Sequence, residues 1–219
     1  IVSGDFYWIK HIDGTTYLAT VDCSGHGVPG GFMSMLGTAF LNEIVDAKSK
    51  PTPGEVLNKL RDYIKEALAQ KDEREGTREG MEMTLCAIDH ANYSLQYSGA
   101  YNSPYLIRNG ELNSLPVDRQ PVAIYFDETP FTNHAIQLEP GDSIYLYTDG
   151  FADQFGGEKG KKYKIGRFQN LLLQIHQEEM ELQSTIINRT LNDWMDGRYE
   201  QVDDILIMGF RVRDDLHIL

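Results

Sequence analysis

Residues 15–27 read TTYLATVDCSGHG, a β-type run that ends in an aspartate and a glycine-rich turn. The first part of this stretch is rich in β-branched and aromatic residues, which predicts a strand that carries Asp22 at its end. The pair Asp13-Gly14 directly before it is a strong hairpin signal, so the β-rich residues 1–10 are expected to pair with this strand. A hairpin followed at once by a tight turn is therefore the starting unit of the fold.

Apolar residues at helical spacing follow the turn. Residues 31–47 predict an amphipathic helix, and a capping-box pattern that begins at Thr52 predicts a second helix over 54–69. The charged stretch 71–80 contains two glycines and predicts a loop. Two more helices are predicted at 165–176 and 180–194. Further strands are predicted at 83–88, 93–97, 105–108, 111–115, 122–126, 131–138, 143–148 and 205–212.

The order of these elements indicates the fold class. Strands come first, then two helices, many hairpin strands, two helices and a closing strand. A parallel fold would alternate strand and helix along the whole chain, which this sequence does not do. We therefore expect an α+β domain of mainly antiparallel sheets flanked by helices, with residues 1–219 forming a single domain.

Composition narrows the function. The net charge is −13, whereas a nucleic-acid-binding domain is expected to be basic, so the charge argues against DNA and RNA as ligands. The two cysteines, Cys23 and Cys86, form no disulfide framework and indicate a reducing, cytoplasmic compartment. No apolar run reaches membrane-spanning length. Because the first motif lies so near residue 1, we expect the chain to be part of a longer protein with an upstream sensor or membrane region.

Four aspartates lie at or next to the end of a predicted strand, namely Asp5, Asp22, Asp149 and Asp203. Carboxylates that are held on rigid elements and face one cleft repel one another unless a multivalent cation binds between them. An all-oxygen site suits Mg²⁺ or Mn²⁺ rather than zinc. The pattern favours a metal-dependent enzyme of phosphate chemistry. Ordinary turn chemistry of Asp and Gly is the alternative explanation.

Three other features of the sequence are possible functional elements, and for each we compare a functional with a structural interpretation. His26 is a candidate general acid, or else a structural histidine in a glycine-flanked turn. The Cys23 thiol has no identifiable activating base, which argues against a nucleophilic role. The basic segment 159–167 either attracts an acidic or phosphorylated partner or is a solvated loop.

Five segments together resemble the PPM family of metal-dependent serine/threonine phosphatases, and within it the bacterial SpoIIE/RsbU-like branch. They are residues 3–7 (SGDFY), 21–29 (VDCSGHGVP), 98–104 (SGAYNSP), 147–150 (YTDG) and 203–205 (DDI). They occur in the order of the family's motifs and cover essentially the whole chain. The resemblance implies a layered α/β-β/α sandwich of two mainly antiparallel sheets.

The resemblance also implies roles for the site residues. Asp22 would bridge two divalent ions, Mn²⁺ or Mg²⁺, and the backbone carbonyl of Cys23 would complete one coordination sphere. Asp149 and Asp203 would hold the other ion, and Asp5 would act directly or through water. The implied reaction is hydrolysis of phosphoserine or phosphothreonine by a metal-activated water.

The implied partners are those of a bacterial signalling pathway. The substrate would be a phosphorylated protein such as an anti-sigma-factor antagonist. An upstream sensor would switch the domain through the helices at 31–47 and 54–69, frequently in a homodimer. No membrane contact is expected from this segment itself.

Three positions depart from the family's pattern. Trp8 and Glu82 stand where relatives often carry aspartate, and Leu206 replaces a threonine that often follows the paired aspartates. A third metal ion is therefore uncertain. A catalytically silent module that binds a phosphoprotein or partner is the alternative function, and a degenerate site of that kind is expected to lack at least one of Asp22, Asp149 and Asp203. A metal-dependent nuclease is opposed by the acidic charge.

Overall fold

The computed structural model describes residues 2–25, 27–46, 48, 50–70 and 79–213. Its strands are β1 (Phe6–Ile12), β2 (Thr15–Cys23), β3 (Met81–Asp89), β4 (Ser94–Ala100), β5 (Tyr105–Arg108), β6 (Glu111–Ser114), β7 (His134–Gln137), β8 (Ser143–Tyr147), β9 (Phe155–Gly156), β10 (Lys161–Lys162) and β11 (Ile207–Arg211). Its helices are α1 (Val28–Ile44), α2 (Pro53–Ala67), α3 (Gly150–Asp153), α4 (Ile165–Ile175) and α5 (Met180–Met195).

The first sheet has the order β1-β2-β3-β4-β7, and all of its neighbouring strands are antiparallel. The β1–β2 hairpin turns at Asp13 and Gly14, whose φ angles are 44° and 78°. Positive φ at both central residues is what a two-residue hairpin loop of type I′ requires. Because β2 is antiparallel to both neighbours, its C-terminal end lies beside the starts of β1 and β3.

The second sheet has the order β11-β8-β5-β6 and is also antiparallel. The predicted β5–β6 hairpin turns at Asn109 and Gly110, again with positive φ at both residues. Tyr147 at the end of β8 pairs with Ile207 at the start of β11. The end of β8 and the start of β11 therefore lie at the same edge of this sheet.

The two sheets stack face to face, and helices cover both outer faces. Leu18 and Tyr97 of the first sheet form one buried cluster with Ile144 and Phe210 of the second. A second cluster joins the outer face of the first sheet to α1 and α2. A third joins the outer face of the second sheet to α4 and α5. This confirms the predicted α+β sandwich, since three apolar layers separate helix, sheet, sheet and helix.

Helix α2 shows how the sequence sets a boundary. The Thr52 hydroxyl accepts a hydrogen bond from the Glu55 amide, and the Glu55 carboxylate accepts one from the Thr52 amide at 2.8 Å. This reciprocal pair satisfies two amides that have no partner inside the helix. Leu57, Leu60 and Ile64 form its fully buried face.

One predicted strand is wrong. Residues 122–126 form no strand, and Val122 makes only an isolated bridge to Met81. Val122 and Ala123 are buried because they pack over the start of β3, where a Cβ added to Gly80 would lie 2.5 Å from the Ala123 Cβ. The apolar run therefore reflects loop packing rather than sheet pairing.

Other boundaries shift by a few residues. Helix α1 begins at Val28 rather than 31, with a proline in its first turn, and it ends at Ile44. Part of the predicted 71–80 loop, residues 71–78, lies outside the described residues, as does Ala47. Helix α3 and the small β9–β10 sheet were not predicted, because elements of two to four residues have no readable periodicity.

Candidate functional site

Acidic residues from both sheets line one cavity of about 340 Å³. They come from strand ends that the antiparallel pairing places at one edge of each sheet. Asp5 directly precedes β1, Asp22 lies near the end of β2, and Asp149 follows β8. The residues that line the cavity are Asp5, Asp22, Cys23, Ser24, Gly25, Glu82, Asp149, Val202, Asp203 and Asp204. The predicted aspartates are thus brought together.

The carboxyl group of Asp22 has the most strongly raised pKa among the carboxyl groups that line this cavity. Its half-buried side chain projects from β2, where its backbone is in register with Glu82 of β3. Burial, followed by neighbouring negative charge, raises the pKa of Asp22 from 3.8 to about 8. In decreasing order of effect, the charged neighbours are Asp5, Asp149, Glu82 and Asp203. Carboxylates of both sheets therefore act on the same group.

Asp5 is perturbed in the same direction. Burial raises the pKa of Asp5 to about 6, and the charges of three other residues add to this rise. In decreasing order of effect they are Asp204, Asp203 and Asp149. The nearby hydroxyl of the buried Thr148 opposes this rise in the pKa of Asp5. The Thr148 hydroxyl accepts a hydrogen bond from the Leu206 amide at 3.0 Å. Thr148 therefore lies where the N-terminal segment meets the second sheet.

Two further carboxylates complete the electrostatic picture. Burial and then the Asp149 charge raise the pKa of Glu82. Desolvation, then Asp153 and Asp203, raises the pKa of Asp149, whereas the Lys162 ammonium lowers it. Lys162 forms an ion pair with Asp153 at 2.5 Å. One cation of the basic segment thus lies close enough to act on the acidic cluster.

The glycine-rich turn allows the backbone to pack tightly beside these carboxylates. Gly25 has a φ of 85°, which favours glycine. A Cβ added to Gly30 would lie 2.4 Å from the Gly25 carbonyl oxygen, and one added to Gly4 would lie 2.7 Å from the same atom. The N-terminal segment, the turn and the start of α1 therefore meet without side chains between them.

The donor set fits a divalent ion in chemistry but does not form a closed ligand shell. The buried Asp5 Oδ2 has no hydrogen-bond partner among the described residues, which is the environment of an oxygen that can accept a cation. Carboxylates and a backbone carbonyl are hard ligands of the kind that Mg²⁺ and Mn²⁺ take. Within the described ranges, however, no three His, Cys, Asp or Glu side chains converge closely enough to hold one ion. The individual ligand roles stay a prediction.

The other sequence candidates have separate outcomes. His26 lies outside the described residues, so its predicted role as general acid stays a prediction. Cys23 is buried, and burial followed by the charges of Asp22 and Asp5 raises the pKa of its thiol well above the usual range. A thiol held protonated is a poor nucleophile, which agrees with giving Cys23 a backbone role.

Two residues near the site were missed by the sequence analysis. Asp153 lies four residues after Asp149, and its amide donates to the Asp149 carbonyl at 3.0 Å, so one helical turn brings the two side chains together. The spacing of four could have indicated this. Thr148 gave no signal beyond its place in a motif, because its contact with Asp5 depends on how the sheets stack.

Family comparison agrees with the geometry. The family model for Stage II sporulation protein E (SpoIIE) matches residues 12–213. The chain therefore belongs to the SpoIIE family. Its fold is that of the PP2C phosphatase domains, and the family places it among bacterial signalling phosphatases. Among curated proteins, none matches the chain.

Solved structures of other proteins have the same fold. The SiaA-PP2C domain of Pseudomonas aeruginosa is 31% identical, with a TM-score of 0.85 over 96% of this chain and 81% of that chain. The phosphatase domain of SpoIIE from Bacillus subtilis, solved with a fragment of its regulatory domain, is 16% identical, with a TM-score of 0.76 over 97% and 59%. RsbX, solved in complex with magnesium, is 15% identical, with a TM-score of 0.61 over 95% and 87%.

In the part of the chain that the structure describes, no helix is both long and apolar enough to cross a bilayer.

Proposed function

We propose that the chain is a protein serine/threonine phosphatase that hydrolyses phosphoserine or phosphothreonine with two divalent ions, Mn²⁺ or Mg²⁺. The observation that carries this proposal is the convergence of carboxylates from both sheets on one cavity, with the pKa of Asp22 raised to about 8. Such mutual repulsion is costly in the metal-free protein and is relieved when cations bind. The family assignment and the magnesium complex of RsbX support the same chemistry.

Each of the clustered residues has a proposed role in binding the ions. Asp22 would bridge the ions, Asp149 and Asp203 would hold one of them, and the Cys23 carbonyl would hold the other, with Asp5 acting directly or through water. When bound, the ions supply a water of lowered pKa and neutralise charge on the phosphoryl oxygens. Because Asp5, Asp22 and Asp149 lie at or next to strand ends of a packed sandwich, the protein holds these groups in nearly fixed positions.

Two chain residues extend this assignment. Glu82 faces the same cavity and has a raised pKa, so it is placed to accept a proton or to hold an ordered water beside Asp22. His26 would protonate the departing serine oxygen, because histidine is the side chain that most often transfers protons near neutral pH. Replacing His26 with alanine would then slow hydrolysis of an alkyl phosphoserine substrate far more than hydrolysis of p-nitrophenyl phosphate, whose leaving group needs no proton. Equal effects on both substrates would remove this role.

The test of the function is hydrolysis of p-nitrophenyl phosphate with Mn²⁺, Mg²⁺ or EDTA. We expect Mn²⁺- or Mg²⁺-dependent release that is abolished by Asp22→Ala and by Asp149→Ala, with the fold of both variants verified by circular dichroism. Retained activity in Asp22→Ala would contradict the bridging assignment.

The second candidate is a catalytically silent phosphatase-like module that binds a phosphoprotein or partner. The observation that favours it is that, among the residues the structure describes, no three potential ligand side chains of His, Cys, Asp or Glu converge closely enough to hold one ion. Metal binding without hydrolysis of any phosphorylated substrate would support an enzyme that waits for its activator. Absence of metal binding by the folded protein would support the silent module.

The partners follow from this proposal. The substrate would be a phosphorylated protein, for example an anti-sigma-factor antagonist, and an upstream sensor in the full-length protein would control the domain. We place the domain in the cytoplasm, where such partners occur. A homodimer is proposed for the full-length protein, and a monomeric mass by light scattering at working concentration would contradict it.

A further inference from the structure

The proposed ligands belong to two different layers of the fold. Asp22 lies in β2 of the first sheet and Asp5 directly precedes β1. Asp149 follows β8 of the second sheet, and Asp203 lies in the segment that leads into β11 of that sheet. Like charges on facing layers push those layers apart, and a small sliding motion between stacked sheets would change every distance across the site. A site of this design needs a contact that fixes the separation of its two halves.

One hydrogen bond makes that connection directly. The Gly4 amide donates to Asp204 Oδ2 at 2.7 Å, across 200 positions of sequence. An amide bonded to a carboxylate is a charge-assisted contact, and such bonds are shorter and stronger than neutral ones. Each end lies next to a proposed ligand, because Gly4 precedes Asp5 and Asp204 follows Asp203.

Backbone packing holds both ends of this hydrogen bond in place. A Cβ added to Gly4 would lie 2.7 Å from the Gly25 carbonyl oxygen, so Gly4 is pressed against the turn that follows Asp22. A Cβ added to Gly150 would lie 2.0 Å from the Asp204 carbonyl oxygen, so residue 204 is pressed against the start of α3. The four ligand-bearing segments therefore meet around one contact.

The same residue also orients its neighbour. The Asp204 amide donates to Asp203 Oδ1 at 2.9 Å, which restricts the rotation of the Asp203 carboxylate. The Asp204 carboxylate is itself occupied by Gly4. Asp204 lines the cavity, but these two hydrogen bonds join it to Gly4 and Asp203.

From this geometry we propose that Asp204 is a positioning residue, which clamps the segment bearing Asp5 onto the segment bearing Asp203 and so sets the spacing at which the two sheets share divalent ions. The inference rests on the proposed function, since it concerns the same site. It differs from a ligand role because the clamp needs only an oxygen acceptor at this position, whereas a ligand to a divalent ion needs the negative charge.

The test compares Asp204→Asn with Asp204→Ala by calorimetric titration of Mn²⁺ into the metal-free protein. The amide oxygen of asparagine can still accept from the Gly4 amide, so we expect its dissociation constant to stay within about threefold of the wild type. Alanine removes the acceptor, and we expect a loss of about 10–100-fold, the range found when a partner that orients a ligand is removed. Asp203→Asn is the ligand control and is expected to lose affinity more severely than Asp204→Asn.

A second readout does not depend on metal. Hydrogen exchange at the Gly4 amide is expected to be slow in the wild type and in Asp204→Asn, and faster in Asp204→Ala. Equal losses of Mn²⁺ affinity in the two Asp204 variants would make Asp204 a ligand and overturn the proposal, and so would an Asp204→Ala variant with unchanged affinity and exchange. If the folded wild type bound no Mn²⁺, both the proposed function and the role of Asp204 in setting the spacing would be contradicted. Hydrogen exchange at the Gly4 amide would still show whether the contact between Gly4 and Asp204 exists.

Discussion

Replacing Asp22 with asparagine is expected to stabilise the metal-free protein, by an amount that grows with pH. The pKa of Asp22 is raised from 3.8 to about 8, first by burial and then by neighbouring carboxylates. A raised pKa means that the native state binds this proton more tightly than the unfolded chain does. The resulting stabilisation is complete below about pH 3.8 and is lost progressively as the pH rises through about 8. Asparagine stays neutral and does not take part in this loss.

The magnitude follows from the two pKa values. Each pH unit between them corresponds to about 1.4 kcal/mol of unfolding free energy, so the interval from about pH 5 to about pH 8 gives about 4 kcal/mol at most. Asp22 is only half buried and shares its repulsion with Asp5, and solvent screening reduces the effect. We therefore expect the advantage of Asp22→Asn to grow by about 2 kcal/mol, or about 4–8 °C in melting temperature for a chain of this length.

The assay is thermal and urea denaturation in EDTA at pH 5 and pH 8.5. Comparing the two pH values cancels any constant effect of asparagine on packing. Asp62→Asn, at an exposed position of α2, is the matched control, and we expect its effect to be the same at both pH values. An Asp22→Asn advantage that stayed constant, or that shrank as the pH rose, would refute the claim that burial and neighbouring carboxylates raise the pKa of Asp22.

Three further changes test other parts of the structure. Lys162→Gln removes a charge that lowers the pKa of Asp149, so Mn²⁺ binding should need a higher pH. The control is Lys161→Gln, on the opposite face of β10. Calorimetric titration at pH 6–8 should show no change in the Mn²⁺ affinity of this control. Leu57→Ala, fully buried on α2, should cost about 3 kcal/mol in urea denaturation, and a loss below about 1 kcal/mol would contradict its core position. Thr52→Ala removes the helix cap and should cost about 1 kcal/mol, measured in the same way.

Much of the fold could be predicted because local chemistry determines it. The pairs Asp13-Gly14 and Asn109-Gly110 specify two-residue turns, and both hairpins are present. The second helix has its own start signal in the capping box. The sandwich then follows, because antiparallel strands with apolar faces must be covered on both sides.

Prediction failed where burial came from contacts distant in sequence. The apolar residue Val122 is buried because it packs on the start of β3, with which it forms one isolated bridge. The sequence alone does not distinguish such a buried loop residue from a residue of a strand. Helix α3 is four residues long, too short for a period to be visible. Both are consequences of tertiary packing that acts on short segments.

The sequence predicted which residues belong to the site but not how close together they lie. Strand-end logic places Asp22 and Asp149 at one edge of each sheet, and both line the cavity. How close they lie depends on the stacking of the two sheets, which no local pattern specifies. The contact between Gly4 and Asp204 belongs to the same class, because it joins residues 200 positions apart.

The central claim is that carboxylates of both sheets act together at one divalent-metal centre. Calorimetric titration of Mn²⁺ at pH 8, for the wild type and for Asp22→Asn, tests it most directly. We predict two ions per wild-type chain with release of protons, because Asp22, whose pKa is raised to about 8, is partly protonated in the metal-free protein at this pH. We also predict loss of at least one ion in Asp22→Asn. No binding by the folded wild type, or the same binding by Asp22→Asn, would contradict the account.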